Sequence, residues 1–262
     1  MAALHAAGTG PARPGGPRVV LLHGFTQTGA SWRPVAERLR ALGPYEPVAV
    51  DAPGHGGSPL PRGGVRAAAA DLAAAGGRAA YVGYSMGGRI CLRLALDRPD
   101  LVRALVLIGA SAGLADPAER ARRRAADEAL AARIERDGVA RFLDDWLAQP
   151  LFATLAPAAA GRAERLANTP AGLAAALRRL GTGTQAPLHA RLRGVRAPAL
   201  LVAGALDTRF AALADELARG IGPHARVELV EGAGHTAHLE RPAEVATVLH
   251  RFLAAALRPA PG

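Results

Sequence analysis

Short apolar runs recur along the chain and alternate with stretches in which apolar residues return every three or four positions. Residues 19–22 (VVLL), 47–50 (PVAV), 79–82 (AAYV), 104–108 (ALVLI), 199–202 (ALLV) and 227–230 (VELV) each have the length and composition of a buried strand. Behind the first run, Trp32, Val35, Leu39 and Leu42 recur at helical spacing, with Ser31 placed to cap the helix and Gly43-Pro44 placed to stop it. Further helices are predicted over 65–75, 86–96, 210–221 and 242–256. Apolar strands alternating with helices specify a mainly parallel sheet covered on both faces.

The alternation stops between residues 113 and 188. Helical patterns over 116–137, 139–147, 158–167 and 171–180 follow one another, separated by Pro150, Pro157 and Pro170, with no strand between them. A helical insertion of this kind between strands of one sheet is expected to lie as a cap over the carboxyl edge of the sheet, where open α/β sheets bind ligands. The predicted organisation is therefore a core of residues 1–112 and 189–262 and a cap of residues 113–188. The proline-rich segment before Val19 leaves room for only a hairpin or a single edge strand, and both chain ends are expected to fray.

Composition narrows the class. No apolar run approaches the ~20 residues of a membrane span, and the amino terminus has neither a basic start nor a long apolar segment, so a cytoplasmic protein without membrane insertion is expected. Cys91 is the single cysteine, which excludes an intramolecular disulfide and a cysteine metal cluster; it is expected to pack as a small apolar side chain. The net charge of +10 comes entirely from arginine. Aromatics make up only 4% of the chain, too few for the stacking platforms of a single-strand binder, so nucleic acid is not the expected partner.

The chemistry gathers around Gly83-Tyr84-Ser85-Met86-Gly87, which fits GxSxG between a strand and a helix, the order a nucleophile elbow requires. A serine hydroxyl becomes a useful nucleophile or base only when an imidazole takes its proton and a carboxylate orients that imidazole. Asp207 follows the 199–202 strand and His235 follows the 227–230 strand, which completes the order Ser, Asp, His of α/β-hydrolases. Asp215 is a weaker candidate because it falls inside the next helix, and His238 competes with His235 but lies further from the strand end. His23 and His55 are expected to shape loops. The backbone N–H groups of Met86 and of Phe25, in the HGF turn after the first strand, are the expected oxyanion donors.

In its details the chain resembles the 2-succinyl-6-hydroxy-2,4-cyclohexadiene-1-carboxylate synthases of menaquinone biosynthesis, lyases on an α/β-hydrolase fold. HGF, DAPGHGGS and AGHTAHLERP are shared with many esterases and C–C hydrolases. GYSMGGR at 83–89, FLDDWLAQPLFATL at 142–155, ERLANTPAGLAAALRRLGTGTQ at 164–185 and GALDTRF at 204–210 are more specific, and they occur in the family's order. The resemblance implies elimination of pyruvate from a cyclohexene carrying an enolpyruvyl ether and a succinyl group, with no metal and no organic cofactor. It implies that Ser85, His235 and Asp207 act as a base relay and that arginines receive the carboxylates of a small polycarboxylate substrate. Arg89, one turn beyond Ser85, is the first of these; Arg123, four before Asp127, and Arg165, ahead of Asn168, are the cap arginines that match; Tyr84 and Trp146 match pocket residues. A serine hydrolase, either a carboxylesterase or a C–C bond hydrolase, is the competing enzyme class, and a non-catalytic receptor on the same scaffold is the third reading.

Overall fold

In the computed structural model, which describes residues 3–7 and 15–258, the apolar runs are assembled into one sheet. Its strands are β1 (Ala6–Ala7), β2 (Arg18–Leu22), β3 (Glu46–Val50), β4 (Ala79–Tyr84), β5 (Val102–Ile108), β6 (Ala199–Gly204) and β7 (Ala225–Val230), in the order β1-β3-β2-β4-β5-β6-β7. The strands from β2 onward are parallel, and β1 alone runs antiparallel, with Ala6 opposite Val50. Of the two expectations for the start of the chain, residues 3–7 give the single edge strand; 8–14 lie outside the described residues, as do both extreme ends.

The pleat sends alternate side chains to opposite faces, and each face has its own core. Val20 and Leu22 join Leu72, Ile90 and Leu105 on one side. Val19 and Leu21 join Trp32, Leu39, Val106 and Leu249 on the other. Burying each such side chain is worth about 1.5–3 kcal/mol, so the central strands, which are buried on both faces, anchor the fold.

Helices α1 (Arg33–Leu42), α2 (Val65–Gly76) and α3 (Met86–Asp97) connect the first strands. Cys91 is fully buried in α3, as expected of a small apolar side chain. Ser31 does not cap α1. It sits inside a 3-10 turn, Gly29–Trp32, where its N–H donates to Thr28 O at 3.1 Å, and the cap position falls to Trp32 with proline in the first turn. The turn begins earlier than the apolar period reveals, so the serine is already committed when the helix starts.

Between β5 and β6 the chain is helical. α4 (Pro117–Leu147) starts at Asp116, whose carboxylate accepts from the N–H groups of Ala118 and Glu119. It is broken at Gly138 (φ 77°), the point where the sequence pattern divides into two helices. A helix over 158–167 does not form: a 3-10 turn at Pro157–Ala159 and a four-residue helix α5 (Arg162–Arg165) take its place, because Gly161 adopts a left-handed conformation (φ 62°) that interrupts the run. α6 (Pro170–Leu180) is capped by the Thr169 hydroxyl. Leu173, Ala174 and Leu177 of α6 pack with Ile134, Phe142 and Leu143 of α4 as a separate small core. Ala176 and Leu180, on the other side of α6, join the sheet core and seat the insertion on it. The fold closes with α7 (Thr208–Ile221), α8 (Ala237–Glu240) and α9 (Pro242–Ala256). No helix among the described residues is long and apolar enough to cross a membrane.

Candidate active site

Ser85 stands between β4 and α3 with φ 49° and ψ −109°, a backbone conformation that a side chain rarely adopts. The glycines of the motif explain how the turn closes. A Cβ on Gly83 would stand 2.5 Å from Gly87 O, and one on Gly87 would run into the carbonyl oxygens of Leu22 and His23. Only with both side chains absent can α3 lie against β2 and β4. The turn is tied to the sheet by the Ser85 N–H, which donates to Ile108 O at 2.8 Å.

The sheet then brings the distant acid and imidazole to the same edge. His235 Nδ1 is 2.8 Å from Asp207 Oδ2, and His235 lines the same cavity as Ser85. Asp207 also caps α7, its Oδ1 accepting from the Phe210 N–H at 3.1 Å. Starting a helix and holding a histidine are therefore two functions of one carboxylate. Burial opposes its ionisation, but the hydrogen bonds from His235 and Phe210 prevail and hold its carboxyl below the usual range. Asp215 is exposed on α7. His238 is fully buried between the rings of Trp32 (4.6 Å) and Tyr84 (4.3 Å), and among the described residues neither of its nitrogens has a partner.

The HGF loop forms the opposite wall. His23 Nε2 accepts from Ala52 N–H at 2.9 Å, and its Nδ1 is 2.8 Å from Gly24 O. His55 Nε2 accepts from Thr26 N–H at 3.2 Å. Burial pushes both imidazoles down, His23 to about 4 and His55 to about 3, so they are neutral struts of the loop. The amides of Gly24 and Gln27 are likewise spent inside the loop, on Gln27 Oε1 and Gly24 O. Thr26 carries a positive φ of 69°. Phe25 and Met86 face the cavity beside Ser85.

The cavity measures about 730 Å³, within the range of small-molecule sites. Arg89 is 7% exposed on its wall, its Nη1 donating to Gln185 Oε1 at 2.7 Å and its Nη2 to Leu180 O at 2.8 Å. Burial lowers its pKa to about 10, so it remains charged at neutral pH while bonded to neutral acceptors. Arg123 also lines the cavity and is held by Asp127, with Nε 2.8 Å from Oδ1. Asp127 is 1% exposed with its second oxygen unpartnered, and burial raises its pKa in spite of the nearby arginines. Arg165 is 2% exposed in α5 and reaches across to the Thr26 hydroxyl. Among the described residues its buried Nη2 has no partner, and it borders a small adjoining cavity with Tyr84, Trp146, Ser85 and His235. Trp146 lies edge-on to Phe25 at 5.2 Å. Phe25, Ser85, Met86, Arg89, Arg123, Trp146 and His235 thus line one cavity, Tyr84 and Arg165 border the adjoining one, and Asp215 borders neither.

Residues that the sequence did not single out hold this arrangement. Gln185 receives Arg89. Asn168 donates to Thr26 O at 2.8 Å and accepts from Gly56 N–H at 2.9 Å, linking the insertion to two loops of the sheet edge. Asp51 accepts from the N–H groups of Gly29 (2.7 Å) and Gly57 (2.9 Å). The chain matches the model of the alpha/beta hydrolase family over residues 19–248. It is 34% identical to the 2-succinyl-6-hydroxy-2,4-cyclohexadiene-1-carboxylate synthase of Salmonella schwarzengrund (strain CVM19633), over 93% of this chain and 96% of the relative. Among solved structures it resembles MenH from S. aureus, with a TM-score of 0.88 at 28% identity over 98% of this chain and 100% of that one. The enol-lactonase from Burkholderia xenovorans LB400 shares the fold, with a TM-score of 0.78 at 24% identity over 96% of each chain. With these likenesses spanning nearly its whole length, and with Ser85 and the His235–Asp207 pair on this sheet, the chain belongs to the alpha/beta hydrolase family and, within it, to the 2-succinyl-6-hydroxy-2,4-cyclohexadiene-1-carboxylate synthases.

Proposed function

We propose that the protein eliminates pyruvate from 2-succinyl-5-enolpyruvyl-6-hydroxy-3-cyclohexene-1-carboxylate to give 2-succinyl-6-hydroxy-2,4-cyclohexadiene-1-carboxylate, a step of menaquinone biosynthesis. The observation that carries this reading beyond the fold is Arg89. A guanidinium brought inside the protein one turn from Ser85, and bonded only to neutral acceptors, suits a substrate that supplies the negative charge itself. A neutral ester would gain nothing from it.

In this reading His235, oriented by Asp207, takes the Ser85 proton, and Ser85 Oγ removes a ring proton next to the succinyl carbonyl. The electron pair moves onto the carbonyl oxygen, where the N–H groups of Phe25 and Met86 receive the charge. As the carbonyl re-forms, the pair passes back into the ring, a new ring double bond forms and the ring C–O bond to the enolpyruvyl group breaks. The departing enolate takes up a proton to become pyruvate. No water is consumed and no acyl-enzyme forms. Arg89, Arg123 and Arg165 hold carboxylates, Tyr84 and Trp146 line the pocket, and residues 113–188 act as the cap that closes it. The enzyme acts in the cytoplasm.

Coupling the reaction to lactate dehydrogenase tests the proposal directly. Pyruvate is expected on addition of the enolpyruvyl cyclohexene. Its absence, together with turnover of a short p-nitrophenyl ester, would assign the protein to the serine hydrolases instead.

A further inference from the structure

The cavity does not end at Ser85 and the arginines of the insertion. It continues along α7, where Arg209, Ala212, Leu213, Glu216 and Arg219 border it. Positions 209, 212, 213 and 216 fall on one face of a helix, so α7 presents a continuous stripe to the cavity. Across from the stripe His189 pairs with Glu216, Nε2 to Oε1, at 3.2 Å. That contact engages the acidic member of the stripe. Among the described residues Arg209, at its inner end beside Ser85 and His235, makes no ion pair within 4 Å and no hydrogen bond, and the same is true of Arg219 at the far end of the stripe.

The carboxylate near Arg209 is that of Asp207, two residues earlier, which the arginine's charge helps to keep ionised. Arg209 lies in the first turn of α7, where the helix dipole is positive and basic residues are disfavoured. Its guanidinium lies 5.9 Å from the Phe210 ring centroid, and that ring lies 4.3 Å from His235. It is exposed and shares the cavity wall with Ser85 and His235. The arginines already described are held differently. Arg89 is tied to Leu180 and Gln185, Arg123 to Asp127, and Arg165 to Thr26. Arg209 is a separate cation, on the His235 side of the site.

We propose that Arg209 binds the carboxylate of the group that leaves, the 2-oxo acid released by the elimination. The inference rests on the lyase reading. The substrate carries a carboxylate on its succinyl arm, one on its ring and one on the enolpyruvyl group, and the last departs as an enolate dianion. An exposed guanidinium on the cavity wall that holds no hydrogen bond within the protein is available to receive that dianion, whereas the arginines tied to Gln185, Asp127 and Thr26 are already engaged. The positive first turn of α7 adds to the same field.

The test uses Arg209→Gln, Arg209→Lys and, as a control for loss of one charge, Arg62→Gln, an exposed arginine outside the cavity. Pyruvate release gives kcat and KM, and isothermal titration with pyruvate gives binding without turnover. Arg209→Gln is expected to weaken pyruvate binding and raise KM by about 10- to 100-fold, the worth of a hydrogen-bonded charge pair, with Arg209→Lys intermediate and Arg62→Gln unchanged. A raised KM with unaltered pyruvate binding would overturn the assignment by moving Arg209 to another carboxylate, and no change in either would remove it from the site. If the wild-type protein released no pyruvate, the lyase reading would fail on its own. The titration would still decide on Arg209: binding lost in Arg209→Gln and kept in Arg62→Gln supports an oxo-acid subsite, and equal binding in all variants overturns it.

Discussion

Arg89 of the elbow helix donates to Gln185 at the far end of the insertion, across 2.7 Å. The contact joins an arginine one helical turn beyond Ser85 to a segment ninety-six positions later in the chain. Replacing Gln185 with leucine removes the acceptor and leaves a guanidinium nitrogen buried without a partner. A loss of about 1–3 kcal/mol in stability is expected, read as a lower denaturant midpoint, with a rise in KM as Arg89 shifts. An unchanged midpoint and KM would show that Arg89 finds another acceptor.

Asp207 separates orientation of the histidine from capping of the helix. Asp207→Asn can still accept the Phe210 N–H, but it presents the wrong partner to His235 Nδ1. Its expected signature is a fall in kcat of about 10³-fold or more, with thermal stability within about 0.5 kcal/mol of wild type. Asp207→Ala loses the cap as well and is expected to be less stable than the asparagine variant by about 1 kcal/mol. Equal stabilities would mean that α7 starts without help from this side chain.

Gly87 should tolerate no side chain. A methyl group at that position meets the backbone oxygens of Leu22 and His23, which belong to the central sheet and cannot swing aside. Gly87→Ala is expected to cost about 3 kcal/mol, visible in urea unfolding, whereas Ser85→Ala should abolish pyruvate release and leave the unfolding curve nearly in place.

Buried histidines held neutral make the fold acid-sensitive, His238 as well as His23 and His55. His23 and His55 have folded pKa values near 4 and 3, below the value of about 6.5 in an unfolded chain. The unfolded state therefore binds protons first. Their contribution is complete above pH 6.5 and is lost as the pH falls toward 4 and then 3, at about 2 kcal/mol for each histidine between pH 7 and 5. Asp127, raised by burial, acts in the opposite sense at lower pH. Chemical denaturation at pH 7 and pH 5 should show a steeper loss for wild type than for His55→Gln, and parallel losses would contradict the neutral state of His55.

Strand positions and the Ser-Asp-His order were legible because each depends on local patterning: an apolar run, a glycine-flanked turn, a polar residue after a strand. Ser31 and the 158–167 segment show where that reading stops. In both, a 3-10 turn or a left-handed glycine took over from the helical period, and neither leaves a mark in hydrophobic spacing. Gln185 and Asn168 were invisible for another reason. Their partners, Arg89 and Thr26, are brought to them only by the tertiary fold, and an amide side chain carries no signal of where it will bond.

Thr26 is gripped from above at two points, its hydroxyl by Arg165 and its carbonyl by Asn168, and both grips come from the helical insertion. The loop that carries Phe25 is thus shaped in part by a segment encoded far downstream. Swinging the insertion away would therefore release the loop that carries Phe25. Any movement of the insertion away from the sheet must pivot about this latch or break it. During synthesis the loop around Thr26 stays without these two bonds until residues 165–168 have emerged and docked.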